Sequence, residues 1–286
     1  MAARRVAGEG GGGGAQGDSA QATALMRYPI YQLDAFTPRR FAGNPAAVVV
    51  MDAFPEDAAM QAIAAENNLA ETAFLVRDGD DYRLRWFTPT VEVPLCGHAT
   101  LASGAVVMEH LETGRKRVVF DTRSGPLTVT RVGDRYTMDL PARASSACEP
   151  PAGLAAALGA EPREVFVGEF NYMAILDSAG AVRALQPDLG AIARLDRGGV
   201  VATAAGDEGF DFVSRYFAPA KGIPEDPVTG GAHCMLTPFW AARLGKQELR
   251  AYQASARGGE IACRLRGDRV ELEGACAFYL KGEIEV

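Results

Sequence analysis

The chain has 286 residues, a formal net charge of −7, 48% hydrophobic and 23% charged residues: an ordinary globular composition with room for one large domain or two. The acidic balance argues against non-specific nucleic-acid binding, which needs clustered Lys and Arg, and the short run Arg115-Lys116-Arg117 reads as a solvated turn. No apolar run approaches the roughly 20 residues needed to span a bilayer, and five scattered cysteines (Cys96, Cys148, Cys234, Cys263, Cys276) form no disulfide framework, which points to a reducing, cytoplasmic setting.

Residues 1–25 read as a disordered leader. Gly10 to Gly14 stand where a secretory signal needs an apolar core, and Glu9 and Asp18 speak against a transit peptide. Strands are expected at Tyr28–Phe36 and Ala46–Met51, then a helix at Pro55–Asn67 with Glu56 and Asp57 in its first turn. Strands Thr72–Arg77 and Tyr82–Phe87 flank the turn Asp78-Gly79-Asp80. An Ala- and Val-rich buried helix follows at His98–Leu111, then strands at Val118–Thr122, Leu127–Val132 and Tyr136–Leu140. Pro141–Pro151 reads as an inter-lobe linker. Beyond it come short helices at Leu154–Leu158 and Asp188–Arg194 and a longer one at Thr229–Leu244. Strands are expected at Val165–Val167, Tyr172–Leu176, Val200–Thr203, Phe210–Phe217, Ile261–Leu265, Val270–Leu272 and Ala277–Val286.

The second half echoes the first. Arg85-Trp86-Phe87-Thr88-Pro89 recurs as Arg215-Tyr216-Phe217-Ala218-Pro219, and each copy leads through Pro94 or Pro224 to Cys96 or Asp226. After an insertion, Pro227-Val228-Thr229, Gly97-His98-Ala99 aligns with Gly230-Gly231-Ala232. Each loop feeds a helix N-terminus, whose first N–H groups have no internal partner and whose dipole favours an anion. Gly97, Gly230 and Gly231 let a ligand approach that backbone, so two such ends face to face would hold a carboxylate or a developing enolate. Glu71, among apolar residues at a helix–strand junction, is a desolvated carboxyl suited to acid–base work if it is buried, and an ordinary strand-edge glutamate if it is not. His98 and His233 each adjoin one of the paired loops; Asp226 is an N-cap candidate that could also touch a ligand.

Other chemistries fit less well. Cys96, His98, His233 and Cys234 lack paired C-x₂-C spacing, so no metal is expected. A local Cys96–His98 thiol–base pair would not face itself on a helix. Nothing matches a P-loop, G-x-S-x-G or G-x-G-x-x-G placed after a strand, so no nucleotide or organic cofactor is expected.

Four ordered stretches resemble the phenazine-biosynthesis PhzF-like family and, more distantly, diaminopimelate epimerase. They are Gln32–Thr37 with Phe41–Val49, Asn68–Phe74, Arg85–Pro89 through Glu92 to Cys96–Thr100, and Glu225–Gly230 with Ala232-His233. The resemblance implies an α+β fold of two pseudo-symmetric lobes, each a curved, mostly antiparallel, barrel-like sheet around a central helix. The first lobe would span residues 26–140 with a returning strand at 277–286, and the second residues 141–276. It implies that Glu71 is the acid–base group, that His98 and Asp226 assist proton transfer, and that Asn44, Cys96, Gly97, Gly230 and Gly231 line the substrate site. Cys96 stands where diaminopimelate epimerase has one of its two active thiols, but Asp226 occupies the other place, which argues against a two-thiol racemase and leaves Cys96 a small buried neighbour. Gly231 departs from the Ser common in the family. The implied function is cofactor-independent isomerisation or epimerisation of a small carboxylic acid in the inter-lobe cleft. The alternative is a non-catalytic small-acid-binding or interaction protein on the same scaffold, and a metal-dependent enzyme ranks third. A homodimer is the commonest assembly for such chains.

Overall fold

The computed structural model describes residue 2 and residues 25–286. The leader expected over residues 1–25 therefore falls, Ala2 and Leu25 apart, outside the described residues.

The first half runs β1 (Arg27–Ala35), β2 (Asn44–Met51), α1 (Asp57–Asn67), β3 (Glu71–Asp78), β4 (Asp81–Phe87), β5 (Glu92–Val93) and α2 (Gly97–Val106). A π-helical turn (Val107–Leu111) extends α2 before β6 (Arg117–Asp121), β7 (Leu127–Val132) and β8 (Arg135–Pro141). The second half runs β9 (Ser145–Ala147), α3 (Leu154–Leu158), β10 (Glu164–Gly168), β11 (Asn171–Ile175), α4 (Ala179–Ala184), α5 (Leu189–Ala193), β12 (Gly199–Ala205) and β13 (Phe212–Phe217). A 3₁₀ turn (Pro219–Lys221), α6 (Gly230–Leu244), β14 (Glu248–Gln253), β15 (Gly259–Arg266) and β16 (Arg269–Glu285) complete it.

All strands join one sheet that bends into two lobes. In the first lobe the order β1-β2-β3-β4-β6-β7-β8-β16 returns to β1, because Arg269–Ala275 of β16 pairs with β8 while Cys276–Glu285 pairs with β1. The second lobe continues β16-β15-β14-β13-β12-β11-β10 and stops at β9. Each lobe encloses one helix. In α2 every residue from His98 to Val106 is buried, and the hydroxyls of Thr100 and Ser103 are satisfied inside the helix by donating to Cys96 O and Ala99 O. A Cβ on Gly104 would lie 2.6 Å from Val129 Cγ1, so glycine alone lets α2 approach β7 this closely.

Two-sided packing explains the unbroken apolar runs. In β2 and β3, Ala46, Val48, Ala73 and Leu75 face α2, while Ala47, Val49, Phe74 and Val76 join Met60 and Ile63 of α1 in an outer core. In the second lobe, Met173, Ile175 and Val201 face the inner core, while Tyr172, Ala174, Val200 and Ala202 meet the outer helices α3–α5. Pro238 inside α6 removes the N–H that Cys234 O would accept, and that carbonyl takes the N–H of Arg143 instead, at 2.9 Å.

Four local expectations need correcting. Val270–Leu272 and Ala277–Val286 are parts of one strand with a register shift opposite Gln32/Leu33, because one half must serve β8 and the other β1. The stretch Pro141–Pro151 contains β9, which covers the edge of β10. Helix α4, capped by Ser178 Oγ accepting from Ala181 N at 3.1 Å, was not anticipated. Nor was β14, whose Leu249, Ala251 and Gln253 alternate inward.

Candidate active site

The repeated motif positions the two site loops through matched ion pairs. Arg85 grips Glu92 with two bonds of 2.8 Å, and Arg215 grips Glu225 with bonds of 2.7 and 2.9 Å. Each guanidinium also lies over the Phe two residues on, 5.2 Å from Phe87 and 4.9 Å from Phe217. From these anchors the chain runs to Cys96 and to Asp226 and then into α2 and α6. The two helix starts meet: a Cβ on Gly97 would lie 3.4 Å from Gly230 Cα, and one on Gly230 would lie 3.5 Å from Gly97 Cα. Both N-termini therefore aim at one place, with nothing within 4 Å of a Cβ on the adjoining Gly231.

Glu71, His98, Asp226 and Asn44 converge there, exposed by only 7%, 4%, 7% and 0%. Glu71 is the first residue of β3 and His98 the second of α2, and Glu71 Oε2 lies 3.3 Å from His98 Nε2. The two atoms are not aligned for a hydrogen bond, and among the described residues neither has another partner. Asn44 ties the lobes together: its Nδ2 donates to Asp226 Oδ1 at 2.7 Å and to Val228 O at 2.9 Å. His98 Nδ1 lies 3.1 Å from the same nitrogen. A backbone contact at Pro45 favours the charged ring, but less than burial disfavours it. Asn44 Oδ1 is buried and unpartnered.

Burial governs the charges. The Glu71 carboxyl is pushed up to about 8, first by desolvation and then by the negative charge of Asp226, with a Cys96 contact opposing. Desolvation also lifts Asp226 to about 6, against hydrogen bonds from Thr229 and Asn44. His98 is driven down to about 3 by desolvation and stays neutral. Near neutral pH the site thus holds a protonated carboxyl in one lobe and an ionised one in the other, beside a neutral imidazole. Contrary to the expectation from helix geometry, Cys96 Sγ meets His98 Nδ1 at 3.5 Å, because Cys96 is the extended N-cap of α2, but burial raises its thiol well above the ordinary range, so it is no ready nucleophile. Among the described residues, Glu71, Cys96 and His98 are the group whose donor atoms, all within 4.8 Å of one another, could hold a metal ion.

All the residues singled out at the paired loops and their neighbours gather here except His233. Its Nδ1 lies 2.8 Å from Thr229 O, and its ring packs against Phe212 in the core of the second lobe. Sequence reasoning missed Gln253, which is fully buried. Its Nε2 donates to Asp226 O at 2.7 Å and its Oε1 accepts from Thr229 N at 2.8 Å, while Thr229 Oγ1 donates to Asp226 Oδ2 at 2.6 Å. The signal was a glutamine at the inward phase of Glu248-Leu249-Arg250-Ala251-Tyr252-Gln253. It also missed Arg257, which clamps the turn before Asn44 by donating to Asp34 Oδ1 at 2.7 Å and to Gly43 O at 2.9 Å.

Comparison with known proteins agrees with this architecture. The family model described as phenazine biosynthesis-like protein (PhzC-PhzF) matches residues 33–282. An uncharacterized isomerase of Pseudomonas aeruginosa is 49% identical over 91% of this chain and 100% of its own length. The crystal structure of a PhzF-family phenazine biosynthesis protein from Enterococcus faecalis superposes with a TM-score of 0.88 at 42% identity, over 91% of this chain and 100% of that one. A hydroxyproline epimerase from Agrobacterium vitis, with bound trans-4-hydroxy-L-proline, shares the fold at a TM-score of 0.62 and 10% identity, over 91% of this chain and 93% of that one.

Proposed function

The chain belongs to the phenazine biosynthesis-like (PhzC-PhzF) family, and on that premise we propose that it is a cofactor-independent isomerase or epimerase that moves a proton on a small carboxylic acid. The observation that carries the reading is Glu71: a buried carboxyl, pushed up to about 8, whose Oε2 has no hydrogen-bond partner among the described residues and lies 3.3 Å from His98 Nε2 in the first turn of α2. A group with a midpoint near the working pH is well matched to both taking and returning a proton.

In this reading the acid seats its carboxylate on the N–H groups at Gly97 and Gly230, which also take up the charge of the enolate that forms. The ionised fraction of Glu71, present near neutral pH because its midpoint is about 8, removes a proton from the carbon beside the carboxylate or an adjoining alkene. The C–H electron pair moves into the π system, and Glu71 becomes the carboxylic acid. Return of that proton by Glu71 to a different carbon gives an isomer. With the roles divided between lobes, ionised Asp226 takes the proton from one face and becomes the acid while protonated Glu71 gives its own proton to the other face and becomes the carboxylate, which gives an epimer. Neutral His98, its Nε2 3.3 Å from Glu71 Oε2, packs against the carboxyl and adds no charge to it.

The test begins with small carboxylic acids screened for thermal stabilisation, and the acids that bind are then incubated in deuterated water. Deuterium should appear on carbon with the unchanged protein. Glu71→Gln should keep the affinity and lower the exchange rate about 10²- to 10⁴-fold. Full exchange by Glu71→Gln would eliminate Glu71 as the proton carrier, and binding without any exchange would favour a small-acid-binding protein.

A further inference from the structure

The internal repeat assigns each residue of the first lobe's site a counterpart in the second. Thr72 pairs with Phe87 across β3 and β4, and Val200 pairs with Phe217 across β12 and β13. Since Phe87 and Phe217 hold the same place in the repeated motif, Gly199 corresponds to Glu71 and Tyr216 to Trp86. The acid–base position of the second lobe is thus a glycine.

That space is filled by side chains from elsewhere. A Cβ on Gly199 would lie 2.7 Å from Tyr216 Oη, and a Cβ on the preceding Gly198 would lie 2.5 Å from Lys221 Cε. The diglycine at the head of β12 is a floor on which a tyrosine and a lysine converge. Lys221 Nζ donates to Tyr216 Oη at 3.0 Å, and Tyr216 donates to Asn171 Oδ1, also at 3.0 Å. Asn171 Oδ1 also lies 3.5 Å from Lys221 Nζ. Lys221 is exposed, and with two N–H groups used its ammonium has one left. Among the described residues no carboxylate lies within 4.0 Å of Lys221 or of Arg143, in a chain whose net charge is −7. Tyr216 O accepts the Asp226 N–H at 3.0 Å, which ties this strand to the site loop, and the charge of Asp226 acts on both the Tyr216 hydroxyl and the Lys221 ammonium. The charges of Arg143 and Asp226 both reach Lys221, and burial and Arg143 lower its ammonium while Asp226 opposes.

We propose that Lys221, seated on Gly198-Gly199 and braced by Tyr216 and Asn171, is a second anion subsite that takes a distal carboxylate, so that the preferred substrates are dicarboxylic acids. A lysine held down by two glycines and two hydrogen bonds, yet lacking an acidic partner, is positioned to meet a charge brought by a ligand. One carboxylate would sit between the helix ends and the other on Lys221. The proposal rests on the isomerase reading only for where the first carboxylate sits.

The experiment is calorimetric titration of the full chain with glutarate and with butyrate, which differ by one terminal carboxylate. Glutarate should bind at least tenfold more tightly than butyrate. Lys221→Met should abolish that difference by weakening glutarate alone, Gly198→Ala should erode it by displacing the lysine, and Lys221→Arg should restore most of it. Equal affinities for the two acids, including weak or absent binding of both, would overturn the proposal. So would a Lys221→Met variant that leaves glutarate unaffected or weakens both acids alike, the sign of a merely structural lysine. Loss of deuterium exchange in Glu71→Gln leaves these affinities unchanged, so this subsite and the isomerase reading stand or fall separately.

Discussion

The two lobes share a backbone plan but divide the chemistry unequally. Where the first lobe has Glu71 and His98, the second has Gly199 and Gly231. Where the second lobe has Asp226, the first has Cys96, buried and held as a thiol. One copy of the repeat thus carries the carboxyl–imidazole pair and the other is hollowed out, with Tyr216 filling one gap and nothing within 4 Å of a Cβ in the other. Asp226 is not served by its own lobe alone, since Asn44 crosses from the first lobe to hold it. The lesson is that an internal repeat preserves anchors, here Arg85–Glu92 and Arg215–Glu225, while the reactive positions diverge between copies.

The severest way to break this division is to cut the bridge between the lobes. Asn44→Ala leaves Asp226 Oδ1 and Val228 O without their donor, at a cost of about 1–3 kcal/mol per buried group. Catalysis should fall further, about a hundredfold, because Asp226 and the helix ends lose their mutual alignment. Denaturant unfolding and the exchange rate measured together would show this; equal rates for variant and parent would mean that Asn44 does not couple the lobes.

A second test sharpens the contrast between the carboxyl lobe and the glycine lobe through pH. The Glu71 midpoint is raised from 4.5 to about 8 on folding, so the folded state keeps a proton that the unfolded chain has released. Its contribution is fully present below about 4.5 and is lost as pH rises to about 8. His98, lowered from 6.5 to about 3, acts in the opposite sense, and its part of the stability is lost as pH falls through that window. Glu71→Gln removes only the first effect. Its stability relative to the parent should therefore grow between pH 5 and pH 8 by on the order of 3 kcal/mol. A pH-independent difference in denaturant midpoints would contradict this.

The smallest effect is expected at the hollow in the second lobe. Gly231→Ser places a side chain in open space in the first turn of α6, where glycine is a poor helix former. Stability should change by less than about 1 kcal/mol, in the favourable direction, while acid binding shifts because the hydroxyl enters the ligand's space. A large loss of stability would show that the hollow is packed.

Much of this was readable before the structure. The echo from Arg85 to Ala99 and from Arg215 to Ala232 gave the two lobes and the facing helix ends, and the resemblance named Glu71, His98, Asp226 and Asn44. What escaped depended on long-range pairing. Strand β14 is short and carries a polar residue at an inward phase, so its pattern is weak, although Gln253 there supports Asp226. The length of β16 follows from its service to two neighbours, which no local pattern records. The Lys221 seat depends on Gly198, distant along the chain and unremarkable beside another glycine.

The central claim is that Glu71 is a protonated carboxyl at neutral pH because of where β3 begins. Carbon-detected NMR of the Glu71 side-chain carboxyl across a pH series measures this without any substrate. The midpoint should lie near 8 and fall in Asp226→Asn, which removes the neighbouring negative charge. A midpoint near the free value of 4.5, unmoved by that substitution, would contradict the account.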